Sequence, residues 1–276
     1  MSDTLASLID AVEQADSAAR LIKAVRDLAA IRLEGAIPTL IAVLSYNNPG
    51  AAVAAVEGLV HLGEPSVPAL LEQLDQHNYT ARSWAIRALA EIGDPRGLVT
   101  LLGVATADFS LSVRRAAARG LGGMKWHWFP DHLLEIAQEE ALEALLFVAQ
   151  QDEEWVVRYS AIVGLELLAY DIGVLHPDWR SRIQSQFEQL VVTDESWAVR
   201  ARICMAQQHL QAETGVPPLE VDHHVSSLSP LSATDWQTIL DKLYERKEQE
   251  RSERTEGDPR RYMELAVSVA PRTDAD

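Results

Sequence analysis

AIRALAEIGDPRGLVTLLGVA, residues 85–105, decides the fold. Ala85, Ala88 and Leu89 stand three and four residues apart, which places them on one face of an α-helix. Gly93-Asp94-Pro95 follows. Glycine closes one helix and proline opens the next, so the second apolar run, Leu98 to Ala105, reads as the return helix of a helix–turn–helix unit.

The opening segment recurs on both sides: AVRDLAAI from Ala24, AVEGLVHL from Ala55, AARGLGGM from Ala117, AIVGLELL from Ala161 and ICMAQQHL from Ile203. The successive steps are 31, 30, 32, 44 and 42 residues. A second turn of the same kind, Gly63-Glu64-Pro65, precedes VPALLEQL. No stretch alternates β-branched and polar residues between turn pairs, the pattern that would argue for strands. A helix pair cannot bury its apolar face alone, so neighbouring pairs must share a core. The prediction is an all-α, right-handed α-α superhelix of short HEAT-like repeats, with a long groove on its inner side.

A second motif stands ahead of the later copies. Asp152-Glu153-Glu154-Trp155-Val156-Val157-Arg158 is echoed by Asp194-Glu195-Ser196-Trp197-Ala198-Val199-Arg200, and more loosely by residues 108–114, with Asp six positions before Arg each time. The Asp can satisfy free N–H groups at a helix start. The Arg of one repeat can pair with the Asp of its neighbour.

The expected organisation is a solenoid of about six repeats over 1–211, with insertions near 124–138 and 170–182. Both insertions carry aromatics and His: Trp126, His127, Trp128 and Phe129 in one, His176 and Trp179 in the other. They read as longer corner loops, for binding or for capping a helix end. Residues 212–276 form a C-terminal extension: a Pro- and Ser-rich connector, an amphipathic helix near 233–250 and a charged end.

The formal charge of −17 disfavours a nucleic-acid binder and an anchor on anionic lipid. No apolar run approaches a membrane span, and the acidic start lacks a signal peptide's basic region, which points to a reducing cytosol. The single cysteine, Cys204, leaves no internal disulfide and reads as a core or half-buried residue, since no basic neighbour sets up a thiolate. No metal site is expected, because the adjacent His223 and His224 would point opposite ways on an extended chain.

No nucleophile elbow, phosphate loop or zinc helix is present. The residues that suit a ligand open the third, fourth, fifth and sixth repeats: Tyr79, Arg82 and Trp84; Arg114; Trp155, Arg158 and Tyr159; Trp197 and Arg200. Arginine holds carboxylates by paired hydrogen bonds, and Trp or Tyr stacks on flat π-systems. The competing reading gives Arg114, Arg158, Arg200, Asp152 and Asp194 to an inter-repeat ladder and the tryptophans to corner packing.

Four segments, residues 47–56 with VPALLEQLD, 79–96, 112–117 and 155–159, resemble the phycobilisome-lyase HEAT-like repeat family. Within it they are most similar to the F-type subunit of heterodimeric E/F phycocyanobilin lyases. The likeness spans about 5–211 and leaves the extension without a counterpart. It implies a partner subunit of the E type and an open-chain tetrapyrrole as transferred substrate rather than cofactor. It also implies an acceptor cysteine on the phycocyanin α subunit, joined to the bilin A ring as a thioether. A related isomerising branch carries an extra His- and Cys-bearing motif that this sequence lacks. On that reading catalysis is chiefly positioning, with Asp152, Asp194 or Tyr159 as candidate proton donors. The alternatives are a non-catalytic HEAT-repeat adaptor for phycobiliproteins and a lyase that needs no partner.

Overall fold

The computed structural model describes residues 2–74, 78–173 and 175–213, together with Asp241 and Glu245. The chain divides into one unit over Met1–Pro230 and another over Leu231–Asp276. His223, His224, the connector and the helix expected near 233–250 lie outside the described residues, except that Asp241 and Glu245 are helical.

Twelve helices are described in the first unit, and they fall into six antiparallel pairs. In chain order they are α1 Ser2–Glu13, α2 Ala18–Ala30, α3 Ile37–Val43, α4 Pro49–Leu62, α5 Val67–Leu74 and α6 Tyr79–Ile92. Then follow α7 Leu98–Ala107, α8 Leu111–Gly122, α9 Asp131–Gln151, α10 Trp155–Ile172, α11 Pro177–Thr193 and α12 Trp197–Glu213. No strand occurs among the described residues. The six recurring segments are the bodies of the even-numbered helices. Their leading residues, Ala24, Ala55, Ala85, Ala117, Ala161 and Ile203, are all buried.

Two layers result, an all-α solenoid. Each even helix lies closely against the next, α2 on α4 through to α12, whereas successive odd helices touch more sparsely. The crowded even layer therefore takes the shorter arc. Small residues permit the crowding. A β-carbon on Gly164 would stand 2.4 Å from the Ala118 carbonyl oxygen, and one on Gly122 would stand 2.0 Å from that of Gly164. Both distances are shorter than any real contact, so α8 and α10 meet backbone to backbone.

Local chemistry sets the boundaries. Asn48 and Asn78 cap α4 and α6 by accepting from Ala51 N, and from Thr80 N and Ala81 N. Gly93 ends α6 at φ 68°, in the left-handed region, and its carbonyl accepts from Lys125 N at 2.8 Å, joining two corners.

The two insertions differ from the longer loops expected. The extra residues go mostly into helix: α9 has 21 residues where α7 has 10, and α10 has 18 where α6 has 14. The corner over 173–176 is no longer than the one over 63–66. Apolar period explains this. Leu133, Ala137, Ala141, Leu145 and Val148 keep one buried face along α9, and Leu165, Leu168 and Ile172 do so at the end of α10. The first corner is the longer one, and Trp126 and Phe129 are tucked into it, their rings 5.3 Å apart.

Cys204 is exposed, contrary to its sequence reading. It follows Ile203 on the side of α12 that a seventh even helix would cover, and none is described there. The other side of α12 is tied inward: buried Glu166 of α10 pairs with Arg202 and lies 2.7 Å from His209 Nδ1. Burial alone would raise the Glu166 pKa, but the hydrogen bonds from Arg202 and His209 outweigh it and hold the carboxyl below its ordinary range. Among the described residues no helix is long and apolar enough to cross a membrane.

Candidate functional site

Two surfaces of the even layer carry the residues that matter. The first is the edge formed by the N-terminal ends of α6, α8, α10 and α12. Arg82 Nη1 lies 2.5 Å from Asp108 Oδ2. Arg114 donates to both Asp152 oxygens at 2.7 and 3.0 Å, and Arg158 to both Asp194 oxygens at 2.7 and 2.9 Å. The same guanidiniums use Nη1 on the turn before their own helix: Arg114 on the Asp108 and Phe109 carbonyls, Arg158 on those of Asp152 and Glu153. Each arginine thus ties its own turn to the next repeat's turn.

The aspartates act one step earlier than a helix cap. Asp108, Asp152 and Asp194 accept from the N–H two residues on, of Ser110, Glu154 and Ser196, and so shape the turn that precedes the helix. Donating to Asp152 raises the Arg114 pKa, and donating to Asp194 raises the Arg158 pKa. For Asp194, burial works to raise the pKa, but the bonds from Arg158 and Ser196 N prevail and lower it. The series ends at Arg200, which donates to the Val191 carbonyl at 2.7 Å and stacks its guanidinium over Trp197 at 4.6 Å.

Tyr79, Phe109, Trp155 and Trp197 stand exposed along this edge, with Tyr79 edge-on to Phe109 at 5.5 Å. A hollow of about 280 Å³ opens beside the Arg114–Asp152 rung, lined among others by Thr106, Phe147 and Gln151. Its size falls at the low end for a small-molecule site. Of the residues singled out in the sequence, the structure brings Tyr79, Arg82, Arg114, Asp152, Trp155, Arg158, Asp194, Trp197 and Arg200 to this edge. It sets Trp84 and Tyr159 apart from them, on the helix bodies.

The second surface is the open face of the even helices. Residues two before and two after the buried alanine point about 160° away from it, since each residue turns a helix by about 100°. On α6 these are Ser83 and Arg87, on α8 Arg115 and Arg119, and on α10 Tyr159 and Val163. The flanks of α8 are fixed: Gly120 meets Ala90 of α6 and Gly122 meets Gly164 of α10. Arg115 and Arg119 therefore look outward between the two neighbours. Both are exposed, and neither has a carboxylate partner among the described residues. Arg87 is engaged, by Glu91 at 2.9 Å, and lies 5.8 Å from the centre of the half-buried Trp84 ring. On the other flank Leu167 leans towards the end of α8, with Cδ1 3.8 Å from where a β-carbon on Gly123 would stand.

Arg87, Arg115 and Arg119 were absent from the sequence candidates. Their signal was present, an arginine pair at i and i+4 within one recurring segment, but the stronger Asp–Arg motif beside it drew the attention. Among the described residues no three His, Cys, Asp or Glu side chains gather as a metal-binding group.

A family model for HEAT repeats matches residues 67–166. The chain is 61% identical to the phycocyanobilin lyase subunit beta of Pseudanabaena tenuis over 98% of both chains. It is 52% identical to the phycocyanin alpha phycocyanobilin lyase CpcF of a Synechocystis species, over 66% of this chain and 85% of the relative. Among solved structures, a chain in the complex of CpcE and CpcF of phycocyanin lyase from a Nostoc species matches at 50% identity and a TM-score of 0.58. That match covers 63% of this chain and 98% of the other.

Proposed function

The chain belongs to the family of phycocyanobilin lyase beta subunits, and on that premise we propose that it is the F-type half of a heterodimeric lyase that attaches phycocyanobilin to the phycocyanin α subunit. The observation that carries this reading is the 61% identity maintained along nearly the whole of both chains, extension included. The partner is an E-type subunit, as in the CpcE–CpcF complex. The bilin is a transferred substrate and no resident cofactor takes part. The acceptor supplies the thiol, which forms the thioether as it adds to the bilin. The reaction runs in the cyanobacterial cytosol, beside the phycobilisomes.

The geometry supports catalysis by positioning. The ladder makes a stiff wall out of the last four helix pairs, and the wall presents arginine, aromatic and aliphatic side chains at fixed spacings. Asp152 and Asp194 each have both carboxylate oxygens occupied by an arginine fork, which leaves neither free to reach a substrate atom, and for Asp194 that pairing also lowers the pKa. Tyr159 faces outward and is the candidate left to protonate the bilin as the thiol adds. Replacement by Phe should slow transfer by about a hundredfold with bilin binding nearly unchanged. An equal loss of binding would make Tyr159 a contact only.

The test of the function is co-expression with the E-type partner, phycocyanobilin synthesis and apo-phycocyanin α. Pigment that stays on the acceptor through denaturing electrophoresis, and disappears when this chain is omitted, is the expected result. Unchanged pigment without the chain, or none with it, would leave an adaptor role instead.

A further inference from the structure

The geometry points to Arg115 and Arg119 as a two-carboxylate clamp on the open face, holding the paired side-chain carboxylates of a linear tetrapyrrole. This rests on the lyase reading above and deepens it by assigning the residues that grip the pigment.

The charge pattern comes first. The chain carries 41 acidic and 24 basic side chains, and among the described residues Arg26, Arg32, Arg200, Arg115 and Arg119 have no carboxylate partner; of these, Arg115 and Arg119 share one face of one helix. The arginines of the ladder are fully used by Asp108, Asp152 and Asp194. Arg87 has Glu91. Arg115 and Arg119 have no such partner among the described residues, yet stand one turn apart on one helix, where like charges repel. Two unpaired arginines whose β-carbons stand about 6 Å apart, one turn from each other, suit a ligand with two anionic groups within reach of both.

The surroundings specify the rest of that ligand. To one side of α8 the open face of α6 carries Ser83 and Arg87; the half-buried Trp84 ring lies on the far flank of α6, packed against the core of the first repeats, with the Arg87 guanidinium 5.8 Å from its centre. To the other lie Tyr159 and Val163, half-buried, and exposed Leu167. Anionic groups held beside the aromatic and aliphatic surface of α10 belong to an organic dicarboxylate rather than to inorganic phosphate, one whose acidic groups stand near its middle. A linear tetrapyrrole has that form, with propionates on its two central rings. Each guanidinium takes one propionate, and the outer rings lie towards α6 and α10. Such a clamp centres the pigment on α8 and aligns it along the layer, while the unlike flanks, Ser83 and Arg87 on α6 against Tyr159, Val163 and Leu167 on α10, distinguish its two ends.

The test uses the heterodimer. Phycocyanobilin and its dimethyl ester are titrated, by absorbance and circular dichroism, into the native pair and into a pair carrying R115Q and R119Q together. Loss of each charge-assisted contact should weaken free-acid binding roughly tenfold. The ester should bind the native pair about as weakly as the acid binds the variant, and the substitutions should cost the ester little more. R115K with R119K should restore part of the affinity. Equal affinity of acid and ester for the native pair would overturn the clamp while leaving the lyase reading intact. Failure of the variant to co-elute with its partner would also overturn it, by making this face a subunit interface. A native pair that binds pigment but never transfers it would instead sink the function proposed above.

Discussion

Arg114 and Arg115 are neighbours in the chain and opposites in the fold. One is nearly buried in a four-bonded junction that reaches forward to Asp152; the other stands in solvent without a carboxylate. The roughly 100° that separates consecutive residues on a helix divides the edge of the solenoid from its open face. The edge spends its charges on holding repeats together. The open face keeps charges available. Residue type alone therefore says little about role in this molecule; angular position on the even helices says most of it.

The contrast is broken most directly by substituting each arginine in turn. Arg114→Ala strips a nearly buried aspartate of its partner and should destabilise the fold by about 3 kcal/mol. Arg115→Ala should stay within about 0.5 kcal/mol, as exposed substitutions do. Denaturant unfolding of the two variants measures the difference, and equal losses would remove the distinction between the surfaces. A smaller effect tests whether the rotation of α8 is fixed. Gly164→Val forces side-chain atoms into the Ala118 carbonyl and should lower stability by about 2 kcal/mol. Its melting curve measures that loss, and titration of phycocyanobilin into the heterodimer should show weaker binding, because Arg115 and Arg119 turn with their helix.

Acid sharpens the contrast further. The Asp194 and Glu166 carboxyls are held below their ordinary pKa in the folded chain, so their contribution is fully present above about pH 4 and is lost as pH falls through the lowered folded values. Hydrogen exchange should accordingly quicken in α10 and α12 before α2 and α4 as pH drops below about 4, a change on the order of 1 kcal/mol. Uniform loosening would argue against the rungs. The smallest expected effect belongs to Cys204→Ser. That side chain is exposed on the outer side of the last described helix, and attachment should proceed at the native rate. Loss of transfer with the fold intact would give this chain a covalent role after all.

Most of the fold could be read from one segment, because buried alanines recurring near every thirtieth residue leave few alternatives to stacked helix pairs. The ladder was legible too, since Asp and Arg six apart in three registers encode a forward pairing. What the sequence hid was angular. The spacing pointed to Arg114 and Arg158 as ladder arginines but said nothing of their neighbours, and the unpaired Arg115 and Arg119 became visible only once Gly120 and Gly122 fixed the flanks of their helix. The insertions misled for a related reason. Aromatic residues at Trp126 and Trp179 suggested loops, while the apolar period that lengthens α9 and α10 runs quietly through the residues after and before them.

The rungs are also unevenly distributed. They join α6 to α8, α8 to α10 and α10 to the turn before α12, whereas among the described residues the start of α4 has no such rung to the first repeat, and its side-chain hydrogen bond there is the Asn48 amide on the Ala18 carbonyl at 3.4 Å. Treated as a spring, the solenoid has a stiff coil from Arg82 onward and a compliant one ahead of it. Strain from a large guest would then gather in the first two helix pairs, which can open or tighten while the pinned coils keep their spacing.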